Sequence, residues 1–233
     1  MAFRNKADLL LKYKPDILVI PECELADKIV FDKKYKHQQS LWFGKNKHKG
    51  LAVFSFNNYA LETLDCYNEA FKLIIPVAVK KNDFKFILFA IWANNPEDKD
   101  GPYVTQVWKA IQHYDAIISN KPVVLIGDFN SNTIWDKPKR KGNHSHVVDH
   151  LAAKDIYSIY HKHYKQIQGK EKHPTFYLYK HQNKPYHLDY CFASSSMLKH
   201  FKSVKVGDYN TWKTYSDHVP LIVNFDKKVL DGL

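Results

Sequence analysis

Apolar residues recur at helical spacing where the chain opens: Phe3, Ala7, Leu10 and Leu11 mark one face of an amphipathic helix ending before Pro15. Asp16 to Ile20 reads as a buried-type strand closed by Pro21 and Glu22. Gly50 to Phe56 and Leu73 to Val79 are further apolar strands, and Phe84 to Trp92 follows across an Asn82-Asp83 turn, which makes residues 73–92 a hairpin pattern. Val104, Val107, Trp108 and Ile111 outline a second amphipathic helix. Val123 to Ile126 is a short buried strand that stops at Gly127, where the backbone can turn tightly. His146 to Ala153 follows as a helix with Asn143 or Ser145 as its cap. Thr175 to Tyr179 and His187 to Phe192 form a second hairpin turning at Asn183-Lys184-Pro185, and Val219 to Phe225 is the last strand. Many short strands with a few helices imply an α/β layered domain. No Pro/Gly/Ser-rich linker divides residues 1–233, so they read as a single domain.

Composition sharpens this picture. With 45% hydrophobic and 15% aromatic residues among 233, the chain can bury a full core, which argues against disorder. Cys23, Cys66 and Cys191 form no CxxC pair and read as reduced thiols. The first residues lack the apolar core of a signal peptide, and no run approaches transmembrane length. The expectation is a soluble cytoplasmic monomer without membrane insertion. A net charge of +11 points to a polyanionic partner, most simply nucleic acid, although an anionic membrane surface or phosphorylated small substrates also fit. The lysines cluster: Lys33, Lys34 and Lys36; Lys45, Lys47 and Lys49; Lys137, Lys139, Arg140 and Lys141; Lys162, Lys165, Lys170 and Lys172. Any one cluster could serve solubility alone. Together, interleaved with His and Tyr, they suggest basic loops that track phosphates.

Candidate chemistry falls at strand ends. Glu22 follows one strand; Asp128 and Asn130 follow another, two positions apart, a spacing that in extended chain points both side chains the same way. An Asx turn is the plainer reading of that pair. Asp189 lies in a strand-like run, and Asp217-His218 just before the last strand. Carboxylates suit Mg²⁺ or Mn²⁺, and an Asp–His pair orients an imidazole and favours its protonated form beside a phosphate. His144, His146 and His150 raise a zinc site, but without an acid or cysteine at a matching spacing a polar helix face is the better account. His161 and His163 sit in a basic aromatic stretch and could touch phosphates. Trp92, Trp108, Trp135 and Trp212 read as core or hairpin packing, with Trp135 and Trp212 also candidates to stack a base.

Taken in order, Pro15 to Glu22, Phe89 to Asn94, Gly127-Asp128-Phe129-Asn130, His187-Leu188-Asp189-Tyr190 and Ser216-Asp217-His218-Val219-Pro220 resemble the endonuclease/exonuclease/phosphatase superfamily. That group includes exonuclease III, the abasic-site endonucleases and pancreatic deoxyribonuclease. The resemblance implies a four-layer α/β sandwich, two mixed β-sheets face to face with helices outside. It implies that Glu22 binds the metal, that Asp217 is an acid near it, and that Asp128 and Asn130 activate the attacking water and hold the phosphate. Asp189 and His218 match the family's Asp–His couple, and Asn94 a phosphate-contacting asparagine. One departure stands out: the family's opening strand, which ends in an asparagine at the metal and phosphate, has no counterpart here, and Asn5 lies inside the expected first helix. Either further residues precede this start, or a sheet is one strand short with an exposed edge.

The sequence therefore reads as a Mg²⁺- or Mn²⁺-dependent phosphodiesterase acting on nucleic acid, DNA first. Asp128 would deprotonate a water for in-line attack, with His218 and Asn130 steadying the charge on the phosphate. Two alternatives remain open: a phosphatase or phosphodiesterase of small or lipid substrates, and a nucleic-acid-binding protein that keeps the fold without turnover.

Overall fold

The computed structural model describes residues 2–31, 37–94, 103–119 and 121–226. A 3-10 turn at Phe3–Asn5 leads into α1 (Ala7–Leu11), and Phe3, Ala7, Leu10 and Leu11 are buried, the face that the spacing predicts. Strand β1 (Ile17–Cys23) runs further than expected, through Pro21 and Glu22. It can do so because it is an edge strand and its register shifts between Ile20 and Cys23, a bulge that tolerates a residue without an N–H and holds Glu22 at φ 58°. Strand β2 (Gln39–Asn46) precedes β3 (Lys49–Ser55) and pairs with its other edge. With no fully buried residue, half-buried in its middle and exposed toward its end, β2 left no mark in the hydrophobic pattern.

Strands β4 (Ala60–Thr63), β5 (Ile74–Lys81) and β6 (Phe84–Trp92) form a meander, with β5 and β6 as the expected hairpin. Helices α2 (Val104–His113) and α3 (Asp115–Ile118) follow, then β7 (Val123–Asp128), α4 (His144–Ala152), β8 (Ile156–Ser158) and α5 (Ile159–Tyr164). Asn143 holds the N-cap position of α4, and the His146 ring accepts its backbone N–H.

The second expected hairpin is corrected. Only β9 (Phe176–Tyr177) and β10 (Pro185–Tyr186) pair there, so Pro185 belongs to a strand and not to the turn. The run after it, β11 (Asp189–Ser194), instead inserts between β7 and β8. Its apolar residues are buried on both faces, as a central strand requires. Strands β12 (Phe201–Val206) and β13 (Leu221–Phe225) close the chain as an antiparallel pair.

The layers are those of an α/β sandwich. A six-stranded sheet ordered β4-β5-β6-β7-β11-β8 is mixed, β6 and β7 running parallel. One face packs on α2 and α4 through Phe89, Val107, Ile111, Leu125, Val147 and Leu151. The other faces the β1-β3-β2 sheet and the β12-β13 pair through Leu51, Val53, Leu88, Val124 and Val204. Helix α1 covers the outer side of β1 and β3. This second strand layer is thus in two antiparallel pieces, and among the described residues neither β1 nor β13 has a partner on its outer edge. A cavity of about 470 Å³ lies between them, with Val124 and Ile126 of β7 among its lining residues and half-buried Ile17, Val19, Leu221 and Val223 along its rims. No described helix is long and apolar enough to cross a membrane.

Candidate active site

The site grows from the place where β7 runs between β6 and β11. Gly127 sits at φ 141°, and a Cβ there would fall 1.9 Å from the Ile91 carbonyl oxygen. The glycine is therefore demanded by the close approach of β6, not by a strand end, and β7 continues through it to Asp128. Asp128 and Asp189 are directly opposed in the β7–β11 register. Two carboxylates so placed repel unless something intervenes.

What intervenes is a set of hydrogen bonds. His218 Nδ1 lies 2.8 Å from Asp189 Oδ2. Burial by itself would lower the His218 pKa, but Asp189, Asp128 and Asp217 outweigh it and push it up to about 10. Asp128 is 4% exposed; burial pushes its carboxyl up to about 7, opposed by His218 and reinforced by Asp189. Asn130 adopts φ 45°, so the pair is not displayed by strand alternation. The Asn130 N–H donates to Asp128 Oδ1 at 2.8 Å, forming the Asx turn, and its Nδ2 donates to Asp128 Oδ2 and to the Ala93 carbonyl, both at 2.9 Å. Asn130 thus orients Asp128, and its amide hydrogens are already committed.

Behind this row lies a buried network that sequence reasoning missed. Asn132 Nδ2 donates to Glu171 Oε2, the His187 carbonyl and the Tyr190 hydroxyl, all at 3.1 Å. Glu171 Oε1 is 2.9 Å from His161 Nε2. Burial works against the Glu171 carboxylate, yet His161 and the Gly169 N–H lower its pKa to about 2. His161 is consequently an interior residue and not a surface phosphate contact, while His163 packs against Tyr164 and Phe201. No spacing in the sequence links Asn132, His161 and Glu171; only the β7–β11 pairing and the loop after α5 bring them together.

Glu22, Asp217 and Lys6 line the same cavity as Asp128, Asp189 and His218. The Glu22 side chain is 56% exposed and pairs with Lys49 Nζ at 2.7 Å. Among the described residues no three acidic, histidine or cysteine side chains converge tightly enough to enclose an ion. The oxygen donors Glu22 and Asp217 still fit Mg²⁺ or Mn²⁺, which keep several waters and bind through one or two carboxylates plus substrate phosphate. Asn94 directly follows Ala93, whose carbonyl anchors Asn130.

Trp135, 41% exposed, lies 5.0 Å from the Tyr186 ring, and Tyr186 continues through Phe176 to His218 with centroid separations of 6.5 and 4.7 Å. Trp212 follows its core-packing reading and not the base-stacking alternative: at 2% exposure it is buried beside Leu18 and Val219 and offers no face to a base. The three helix histidines do not meet at one point: His144 is buried against Tyr190, while His146 and His150 both lie by Trp108 and His150 also binds Asp115. Lys33, Lys34 and Lys36 fall outside the described residues. Lys49 is held by Glu22, and Arg140 by Asn143 and the Trp135 carbonyl.

No family model and no curated relative matches the sequence. Solved structures do. The 3'-5' exonuclease NExo from Neisseria meningitidis superposes with a TM-score of 0.62 at 18% identity, covering 95% of this chain and 94% of the other. An AP endonuclease from Archaeoglobus fulgidus gives 0.64 at 17% identity over 94% and 91%. The endonuclease domain of TRAS1, a telomere-specific non-LTR retrotransposon, gives 0.62 at 15% identity over 93% and 89%. These likenesses are of architecture, and by that architecture the chain has the fold of the endonuclease/exonuclease/phosphatase superfamily.

Proposed function

We propose that this protein is a divalent-metal-dependent phosphodiesterase that hydrolyses nucleic acid, DNA in the first place. The observation that carries the reading is the Asn130–Asp128 / Asp189–His218 row at the cavity. It pairs a buried carboxylate poised near neutral pH with an imidazolium across two adjacent strands. In its ionised form Asp128, steered by both Asn130 bonds, accepts the proton of a water attacking phosphorus. His218, its Nδ1 fixed by Asp189, presents Nε2 to the non-bridging oxygens and stabilises the charge that develops there. Glu22 and Asp217 would hold a Mg²⁺ or Mn²⁺ ion, which when bound supplies Lewis-acid neutralisation of phosphate and leaving oxygen. The row from His218 through Phe176 and Tyr186 to Trp135 gives flat surfaces for bases or sugars beside the scissile phosphate. The net charge of +11 supports a polyanionic substrate, and the solved structures of similar fold are named as an exonuclease and endonucleases.

The test is nicking of supercoiled plasmid and cleavage of an abasic-site duplex, in Mg²⁺ or in EDTA, by wild-type protein and Asp128→Ala. The expected result is cleavage that needs metal and falls by about 10³-fold or more in the variant, the range for loss of a positioned base. Equal cleavage by both proteins would remove Asp128 from its role. Hydrolysis confined to small or lipid phosphates would redirect the substrate assignment, and DNA binding without any turnover would support the binding-protein alternative.

A further inference from the structure

Lys6 was not marked by any motif, yet the fold takes care to place it. Phe3 and Arg4 donate their backbone N–H groups to the buried Glu24 carboxylate at 2.7 and 3.2 Å, and the Arg4 guanidinium adds a bond of 2.9 Å. With the Phe3 ring buried as well, the turn before Lys6 is pinned to the carboxyl end of β1. From there the Lys6 ammonium reaches the segment that leads into β13 and donates to Ser216 Oγ at 3.1 Å. The same hydroxyl accepts the backbone N–H of His218 at 3.2 Å. Lys6 lines the cavity together with Asp128, Asp189, Asp217 and His218.

An ammonium carries three N–H donors, and Ser216 accounts for one. Among the described residues Lys6 forms no ion pair, although Asp217 and Glu22 are close enough to pull its pKa upward; burial outweighs them and holds the amine below the ordinary lysine value. A partly desolvated cation with unspent donors is costly unless an anion completes it. Asn130, the group expected to hold phosphate, has its amide hydrogens on Asp128 and Ala93. We propose that Lys6 is a phosphate-binding residue of this site, its ammonium contacting a non-bridging oxygen of the phosphodiester that Asp128 and His218 act on. The inference rests on the phosphodiesterase reading and names a contact that reading lacks. A lysine and a divalent cation commonly act on one phosphate in phosphoryl transfer, and the place of Lys6 near Glu22 and Asp217 suits that division of labour.

The experiment is fluorescence anisotropy of a labelled DNA duplex in EDTA, titrated with wild-type, Lys6→Gln and Lys6→Arg proteins at several salt concentrations. Lys6→Gln should weaken binding by about tenfold, as loss of a charge-assisted bond does, and reduce the salt slope by about one. Lys6→Arg should stay within about twofold of wild type, since it keeps the charge. Unchanged affinity and slope in Lys6→Gln would overturn the proposal. If that variant does not fold, Ser216→Ala takes its place: weaker duplex binding with an unchanged melting temperature supports the contact, and unchanged binding overturns it. If wild-type protein has no affinity for the duplex, the nucleic-acid reading fails by itself. The ³¹P linewidth of inorganic phosphate then decides the lysine: broadening by wild type that Lys6→Gln abolishes supports it, and equal or absent broadening overturns it.

Discussion

Asp128, Asn130, Asp189 and His218 are built to one specification; Glu22, Asp217 and Lys6, in the same cavity, are built to another. The first group gathers where β7 and β11 pair inside the six-stranded sheet, and hydrogen bonds of 2.8 to 2.9 Å tie it in two pairs, Asn130–Asp128 and His218–Asp189. The second group is carried by β1, by the turn before α1 and by the segment leading into β13, around the open edges of the divided layer. Glu22 there is mostly in water, and its ion pair with Lys49 is exposed. Under the proposed function the difference has a physical reason. Moving a proton at neutral pH needs groups whose pKa values are displaced, and displacement requires burial and fixed partners. Admitting an ion and a substrate requires the reverse, groups that can exchange water for a ligand.

The largest effect that would break this contrast is at the half-buried Asp–His couple. His218→Gln should lower kcat by about 10³-fold, a loss of roughly 4 kcal/mol of transition-state stabilisation. In wild type the activity should rise as pH passes about 7, where Asp128 ionises, and fall as pH passes about 10, where His218 loses its proton. These limbs belong to the coupled pair, and a bound divalent cation moves both toward lower pH. Asp189→Asn should carry the alkaline limb to lower pH, because the main partner of the imidazolium is gone. An alkaline limb that stays in place would show that the couple does not set it. The same raised pKa stabilises the fold: that contribution is complete below about 6.5 and is lost as pH rises through about 10.

A smaller effect separates the buried network behind the first group from the exposed Glu22 of the second by stability. Glu171→Ala removes the acceptor shared by Asn132 and His161 and leaves both buried without it, a cost of about 3 kcal/mol in urea unfolding. Glu22→Gln, which breaks only an exposed ion pair, should cost less than about 1 kcal/mol. Because the Glu171 pKa is lowered, its contribution is present above about 4.5 and lost as pH falls toward about 2. Equal losses in the two variants would end the distinction between a fixed and an adaptable half.

Much of this was legible from residues alone. Segments with an uninterrupted apolar period, such as β6, β7 and α2, stand where the pattern puts them, because a buried strand or an amphipathic helix has few alternatives. The strands missed, β2 and β12 above all, are half-exposed and owe their extension to pairing with β3 and β13. Gly127 was read as the end of a strand, since a sequence cannot show that a parallel neighbour approaches its Cα. The same limit hid Lys6, Glu171 and His161: each works through a residue distant in sequence, and a lysine in a lysine-rich chain carries no mark. The base-stacking candidacy of Trp212 fails for the converse reason, its nearness to Asp217 in sequence saying nothing about the core in which it sits.

The finest test of the contrast uses those two tryptophans. Trp135 lies outside the hydrogen-bonded row, exposed at the end of the ring series that runs to His218, and none of the row's hydrogen bonds depends on its ring. Trp135→Ala should therefore raise KM for a DNA duplex by about five- to tenfold, the lower part of the range for losing one stacked base, with kcat and the melting temperature nearly unchanged. Trp212→Ala should do the opposite, lowering the melting temperature through the cavity it opens beside Leu18 and Val219 while leaving KM close to wild type at a temperature where the protein is folded. Steady-state kinetics paired with thermal melts of both variants read the two effects on separate axes. A KM unchanged in Trp135→Ala would restrict the substrate surface to the residues around His218 and take the outer aromatic ring out of recognition.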